Sequence, residues 1–323
     1  MAAVLASLIA LLVIISIVGL SVGSVSISFP DVVRSFFNSA SVDEANRIII
    51  LDIRLPRLLL AMLVGAGLSV AGVVFQALLR NPLAEPYILG ISSGGTVGAI
   101  LAIGLSLGFS AYTTPLASFI GSALVMLLVY TIAHRHGQLD TNTLLLSGVM
   151  IGAFFNAVVL LIIAVFNQEL RNAFLWLMGN LSNANMESLA VVSPFVILAS
   201  GFLLLKSKQY NLIATGDETA LQLGVDVTKI KRLSYLLTSL ITGLVVSVSG
   251  VIGFVGLIIP HICRMLFGPD HRLLMPASML LGASFMIVAD VLSRVILAPT
   301  EIPVGAVTAA IGAPVFVYLL KRT

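Results

Sequence analysis

The sequence predicts an all-α integral membrane protein of about ten transmembrane helices containing an inverted internal repeat, and three observations predict it. Of 323 residues, 59% are hydrophobic and 10% are charged, with a mean hydropathy of +1.13. A soluble domain carries about 25% charged residues, so lipid must be the main solvent of this chain. The second observation is that the apolar runs are long and unbroken. They supply the roughly 20 residues a helix needs to cross hydrocarbon and lack the alternation of barrel strands. Lipid-exposed backbone must be satisfied in helices or closed barrels, which leaves helices. The third is a match of the chain to itself at a spacing of 178 residues.

The first span is read at residues 2–23. This stretch exceeds the apolar core of an ordinary signal peptide and lacks a basic leader and a convincing cleavage site. The others follow at 57–79, 91–108, 113–133, 143–166, 189–206, 231–249, 250–267, 274–297 and 305–320. The eighth is short and adjoins the seventh. Pro260 within it removes a backbone donor, which predicts a broken or partly re-entrant segment. Residues 1–323 read as a single transmembrane domain.

Orientation follows from Lys and Arg, which collect in cytoplasmic loops. With the N-terminus inside, the inner side receives Arg80, the His134-Arg135-His136 turn and the 206–232 loop, which holds Lys206, Lys208, Lys229, Lys231 and Arg232. It also receives Arg264, Arg272 and Lys321-Arg322. The outer loops at 109–112, 167–188 and 298–304 hold one basic residue, Arg171. Residues 24–56 disobey: they would lie outside yet carry Arg34, Arg47 and Arg54, with Arg57 at the mouth of the next span. Basic residues held on the wrong side suggest a task.

The self-match lays 54–90 on 232–268, pairing Arg54 with Arg232, Gly65 with Gly243, Ser69 with Ser247, Gly72 with Gly250, Pro82 with Pro260 and Gly90 with Gly268. Apolar coincidences come free in such a composition, but glycines, a proline and an arginine in register do not. The copies open the second and seventh spans, an odd number of crossings apart, so they should run in opposite directions. That is the inverted repeat of transporters, with a substrate path at the repeat interface. The halves are placed at 54–166 and 232–320.

Gly94-x-x-x-Gly98 and Gly148-x-x-x-Gly152 allow close helix approach; packing and the lining of a path both fit. Pro82 should mark an inner turn. Asp290 and Arg294 stand four apart on one helical face and can pair; a charge within a span is a functional candidate, although a structural pair fits too. His134, His136, His261 and His271 show no metal-ligand spacing, Cys263 is a buried small residue, and Trp176 suits an interface. Residues 216–224 read as a short helix closed by a glycine, either a solvated connector or a docking element for a cytoplasmic partner.

Several function classes are excluded. No basic helix suits nucleic acid, no phosphate-binding glycine loop is present, and no catalytic constellation marks an intramembrane enzyme. Energy must come from another subunit or from an ion gradient. An ion-coupled secondary transporter is the alternative reading, but Asp290 alone supplies little for an ion site.

At this point the motifs are recognisable. Arg54-Leu55-Pro56-Arg57, the run from Gly72 to Pro86 with Asn81-Pro82-Leu83-Ala84-Glu85-Pro86, and Gly253-Phe254-Val255-Gly256-Leu257-Ile258-Ile259-Pro260-His261 closely resemble the FecCD family. So do Trp176-Leu177-Met178-Gly179, Asp270-His271-Arg272, Glu301-Ile302-Pro303-Val304-Gly305 and Gly312-Ala313-Pro314. These are permeases of bacterial ABC importers for iron-siderophores, haem and cobalamin. The resemblance implies a multi-pass permease of the bacterial inner membrane with a type II importer fold, itself no enzyme and binding no cofactor. It implies a homodimer with two cytoplasmic ATPase subunits, which hold ATP and magnesium, and a periplasmic or lipid-anchored binding protein. The cargo would be a metal chelate, with ferric siderophore leading on frequency. The 207–230 segment would couple to the ATPase through Gly216, Asp217, Glu218, Ala220, Leu221, Leu223 and Gly224. Leu83, Thr141 and Asn142 resemble the cytoplasmic gate. Arg54, Arg57 and Arg294 match arginines that receive acidic residues of the binding protein, which requires exposed guanidinium groups.

Overall fold

The computed structural model describes residues 1–37, 42–105, 112–135, 138–165 and 176–321, and three residues used above, His136, Arg171 and Arg322, lie outside them. Helix α1 (Ala2–Ser21) is followed by two short helices, α2 (Phe29–Phe37) and α3 (Glu44–Ile48), and a π-helical segment (Ile49–Arg54). Then come α4 (Leu55–Leu79), α5 (Ile91–Gly104), α6 (Thr113–Ala133), α7 (Thr141–Val165) and α8 (Met186–Leu205). Short helices α9 (Ser207–Thr215) and α10 (Asp217–Gln222) precede α11 (Val227–Ser249), α12 (Val255–Phe267), α13 (His271–Val295) and α14 (Val304–Leu320). A two-residue ladder, His134 opposite Leu139 and Arg135 opposite Gln138, joins α6 to α7.

All ten expected spans have their helix, namely α1, α4 to α8 and α11 to α14. Seven described helices are long and apolar enough to cross a membrane by themselves; α5, α12 and the last helix are shorter. The expected outer loop at 24–56 is largely helical instead, and α3 with the π segment runs straight into α4. Pro56 stands in the first turn of α4, where its missing N–H costs one hydrogen bond at the junction with the π segment. Helix α4 is the buried axis of the molecule, packed against α8, α11, α12 and α13. Small residues set these crossings: a Cβ on Gly65 would strike the Gly282 carbonyl of α13, and one on Gly72 the Gly256 carbonyl of α12.

The two repeats are inverted in space. Arg80 at the end of α4, Thr141 at the start of α7 and Lys231 in the first turns of α11 meet around Asp217. Helix α11 therefore starts where α4 finishes. Helices of 25, 14, 21 and 25 residues (α4 to α7) are echoed by helices of 23, 13, 25 and 17 (α11 to α14).

The 178-residue register holds only for the first helix of each copy. Gly65 sits where α4 crosses α13, and Gly243 where α11 crosses α6 against Ser122. Beyond that point the spacing falls to 164. The residues leading into the short helices, Gly90 (φ 73°) and Phe254 (φ 70°), are both left-handed. Each packs on a glycine of its repeat's last helix, Gly148 for the 89–90 segment and Gly312 for Phe254. Matched residues downstream thus differ in role. Gly72 lies inside α4, whereas Gly250 caps α11 (φ 68°). The break in the seventh-to-eighth span also moves: it lies at 250–254, not at Pro260, which is helical within α12. Pro260 costs one hydrogen bond, and the Gly256 carbonyl it frees accepts instead from Gln76 Nε2 of α4 at 3.4 Å.

Candidate functional site

At the inner end, the 206–232 segment is two short helices. Gly216 (φ 132°), between them, occupies a backbone region closed to other residues. Gly224 (φ 81°) ends α10, and the Val225 N–H reaches back to the Ala220 carbonyl at 3.0 Å. The expected glycine-closed helix is therefore present. Ala220 faces inward against Ile213, Val225 and Val227. Glu218, Leu221 and Leu223 face out, the leucines 56% and 61% exposed. Two exposed leucines beside an acid, on a short helix at a water-facing end, form a surface suited to a protein partner.

Asp217 points the other way. Its Oδ2 accepts from Lys231 Nζ at 2.5 Å, with Arg80 at 4.0 Å. Lys231 is only 4% exposed, and the same ammonium donates to the Thr141 hydroxyl at 3.2 Å. One buried cation thus joins α10 to the first residue of α7, where the gate is expected. Asn142 and Leu83 are exposed at this end, and the Leu83 N–H is held by Asn81 Oδ1 at 2.9 Å. Sequence reasoning grouped Asp217 apart from Thr141 and counted Lys231 only as a topogenic charge. A lysine in the first turns of a span, where loops already carry many, gives no separate signal.

At the outer end, the expected exposure of three arginines is corrected. Arg54, Arg57 and Arg294 are 5%, 5% and 8% exposed. Arg57 donates to Asp290 at 2.6 Å and to Glu301 at 2.8 Å, and Arg294 to Asp290 at 3.0 Å and to the Val22 and Gly19 carbonyls. Arg54 binds the Leu20, Ser21 and Val25 carbonyls. A guanidinium at a span mouth loses water and must find acceptors inside the protein. These find them in the C-terminal carbonyls of α1 and in two carboxylates. The paired reading of Asp290 with Arg294 holds, enlarged by Arg57 and Glu301. Among the described residues, the basic ones left exposed on this side are Arg34 and Arg47.

Between the ends, the inner turn of the first repeat grips the break of the second. Glu85 Oε1 accepts the Phe254 N–H at 2.5 Å, and the Tyr87 hydroxyl accepts the Ile252 N–H at 3.1 Å. These acceptors satisfy donors that the break leaves outside any helix. Beside the break lies a cavity of about 480 Å³ lined by Asn180, Asn183, Asn185, Ser188, Ser247 and Ser249 among others, with no charged side chain among the described residues that line it. Gly94 and Gly98 seat α5 against Gly121 and Ala117 of α6, so packing accounts for that pair.

This arrangement can be compared with known proteins. The model of the FecCD transport family matches residues 10–322. The chain belongs to the FecCD transport family. It is 43% identical over 280 residues to a cobalamin import system permease of Halobacterium salinarum, covering 87% of this chain and 75% of the relative. With a hemin transport system permease of Yersinia pestis it shares 41% over 320 residues, covering 98% and 94%. The fold matches an inward-facing metal-chelate type ABC transporter at a TM-score of 0.90, with 34% identity and both chains covered completely. As a FecCD protein, the chain is the permease subunit of an ABC importer in the cytoplasmic membrane. Family membership implies ATPase and substrate-binding partners. The ion-coupled alternative also loses its carboxylate, since Asp290 is held between two arginines.

Proposed function

We propose that two copies of this chain enclose a path for a metal chelate, driven by two ATPase subunits that dock on α10 and hold the ATP and magnesium. The observation that carries the reading is the Lys231 bridge, which ties the docking helix to the expected gate at Thr141. Pairing of two copies is supported by α7, which is largely unburied in one chain and exposes Asn156 in mid-helix beside Phe154 and Leu160. An amide gains a partner against another helix that lipid does not offer. Residues 1–323 act as one permease domain, with halves near 54–166 and 232–320 and coupling through 207–230. A binding protein would approach the outer face at Arg34 and Arg47, while Arg54, Arg57 and Arg294 hold that face in shape. Ferric siderophore leads as cargo, with the hemin and cobalamin of the relatives as the other classes. A passage of amides and hydroxyls suits bulky chelates whose selection is made before they enter.

The test is joint purification with the ATPase and ATP-driven uptake in proteoliposomes. Each buried leucine contributes about 1.5–3 kcal/mol, so Leu221→Asp with Leu223→Asp should weaken ATPase binding by on the order of 100-fold or more. ATPase binding unchanged by both substitutions, or uptake that needs no ATP, overturns the reading.

A further inference from the structure

The inner end holds a second cavity, distinct from the docking face of α10. It measures about 550 Å³ and lies between the end of α4, helix α9, the end of α12 and the start of α13. Arg80, Arg264, His271, Asn81 and Asn211 line it. We infer that this cavity binds a phosphate-type oxyanion, from a lipid headgroup or from solution.

Arg264 is the reason. Its Nη2 donates to Gln76 Oε1 at 2.8 Å, but its Nη1 is buried without a partner. No carboxylate forms an ion pair with it among the described residues. A guanidinium withdrawn from water needs a counter-charge, and the fork geometry of arginine matches a phosphate with two parallel donors. Arg80 adds a second cation, half exposed and only 4.0 Å from an aspartate that Lys231 holds at 2.5 Å. His271 is 5% exposed and donates from Nδ1 to Asn211 Oδ1 at 2.8 Å, so its unpartnered Nε2 is an acceptor and takes no part in holding the anion. The one carboxylate on the wall, Asp270, is taken up by Arg272 at 2.6 Å and by Asn211. Arg264, which has no acid among the described residues, and Arg80, which shares Asp217 with Lys231, therefore line one polar cavity where the cytoplasmic leaflet would end.

The experiment uses the full-length permease in neutral detergent, with thermal unfolding followed against phosphatidylglycerol, phosphatidylcholine and inorganic phosphate at constant ionic strength. Phosphatidylglycerol or inorganic phosphate is expected to raise the unfolding temperature saturably, and phosphatidylcholine to do so less. Stabilisation by the lipid alone identifies a headgroup; stabilisation by inorganic phosphate identifies a soluble anion. Arg264→Gln should weaken the apparent affinity at least tenfold, and Arg80→Gln by a smaller factor. Arg232→Gln, an exposed arginine at the same end, should leave it unchanged. Should Arg264→Gln fold poorly, Arg80→Gln decides alone. No stabilisation of the wild type by either anion, or an equal loss in Arg232→Gln, overturns the inference.

Discussion

Lys231 Nζ lies 2.5 Å from Asp217 Oδ2 and 3.2 Å from the Thr141 hydroxyl, although the three residues come from α11, α10 and α7. A short helix at the surface and the mouth of a span are therefore fastened to one buried cation. Movement of α10 cannot leave Thr141 undisturbed unless one of these contacts breaks. Lys231→Gln keeps much of the side chain and removes the charge. It should uncouple the two processes: ATPase activity of the assembled importer persists while uptake falls by about tenfold, the factor that 1.4 kcal/mol commands. Parallel loss of ATPase activity and uptake would point to failed assembly instead.

Burial of the outer arginines changes what their replacement should do. Arg57→Glu places a third carboxylate beside Asp290 and Glu301, leaving Glu301 without its cation and Asp290 with Arg294 alone. Breaking a buried charge pair costs about 3–5 kcal/mol, so thermal unfolding in detergent should show a large loss of stability. Docking of the binding protein should weaken to the same extent at low and high salt, because screening acts on exposed charges and little on buried ones. A salt-sensitive loss with unchanged stability would return Arg57 to the surface role.

The left-handed leads into α5 and α12 require glycines opposite them. A Cβ on Gly312 would come within 2.7 Å of Phe254 Cβ and Ile258 Cδ1, and one on Gly148 within 2.7 Å of the Leu89 Cα. Gly148→Ala and Gly312→Ala should each destabilise by about 1–3 kcal/mol through overpacking. Gly201, with nothing within 4 Å of its added Cβ, is the internal contrast. Gly201→Ala should stabilise α8 by up to about 1 kcal/mol, the helix-propensity gain. The shifts in unfolding temperature of the three variants check both signs.

Asp270 caps α13 and accepts from Arg272 and Asn211, which hold its carboxyl well below the usual carboxylate range. A carboxyl with a depressed folded pKa contributes stability above its unfolded pKa, about 3.9. That contribution is lost as pH falls through the folded value. Asp270→Asn retains a capping oxygen and discards the charge. The stability difference between wild type and Asp270→Asn should be constant above about pH 5 and shrink below about pH 4. Unfolding temperatures across that range measure it, and a difference that widens on acidification refutes the assignment.

Much of this protein was legible without coordinates because lipid imposes a one-dimensional rule. Residues that cannot leave hydrocarbon must form helices of fixed length, so all ten helices and the short eighth were readable from hydropathy. The motif blocks around Asn81-Pro82 and Pro260-His261 carried the family with the same clarity. The Gly216–Gly224 helix was legible too, since a glycine at each end of six helical residues is a local signal. Register failed where it depended on connectors: α4 ends at Leu79 and α5 begins at Ile91, whereas α11 ends at Ser249 and α12 begins at Val255. Identical spacing in sequence then stops meaning identical position in space.

What the chain determined by itself was its solvent, its helices, the opposed directions of its repeats and its family. Only the tertiary structure decided where the charges are spent. Arg57 reads as an outward guanidinium until Asp290 and Glu301, more than 230 residues away, are folded onto it. Lys231 reads as a loop charge until Asp217 and Thr141 close around it, and Arg264 as one more inner cation until its want of a carboxylate is seen. The physical reason is common to all three. Hydrophobic burial is a property of each segment, whereas the partner of a desolvated charge is set by which segments meet.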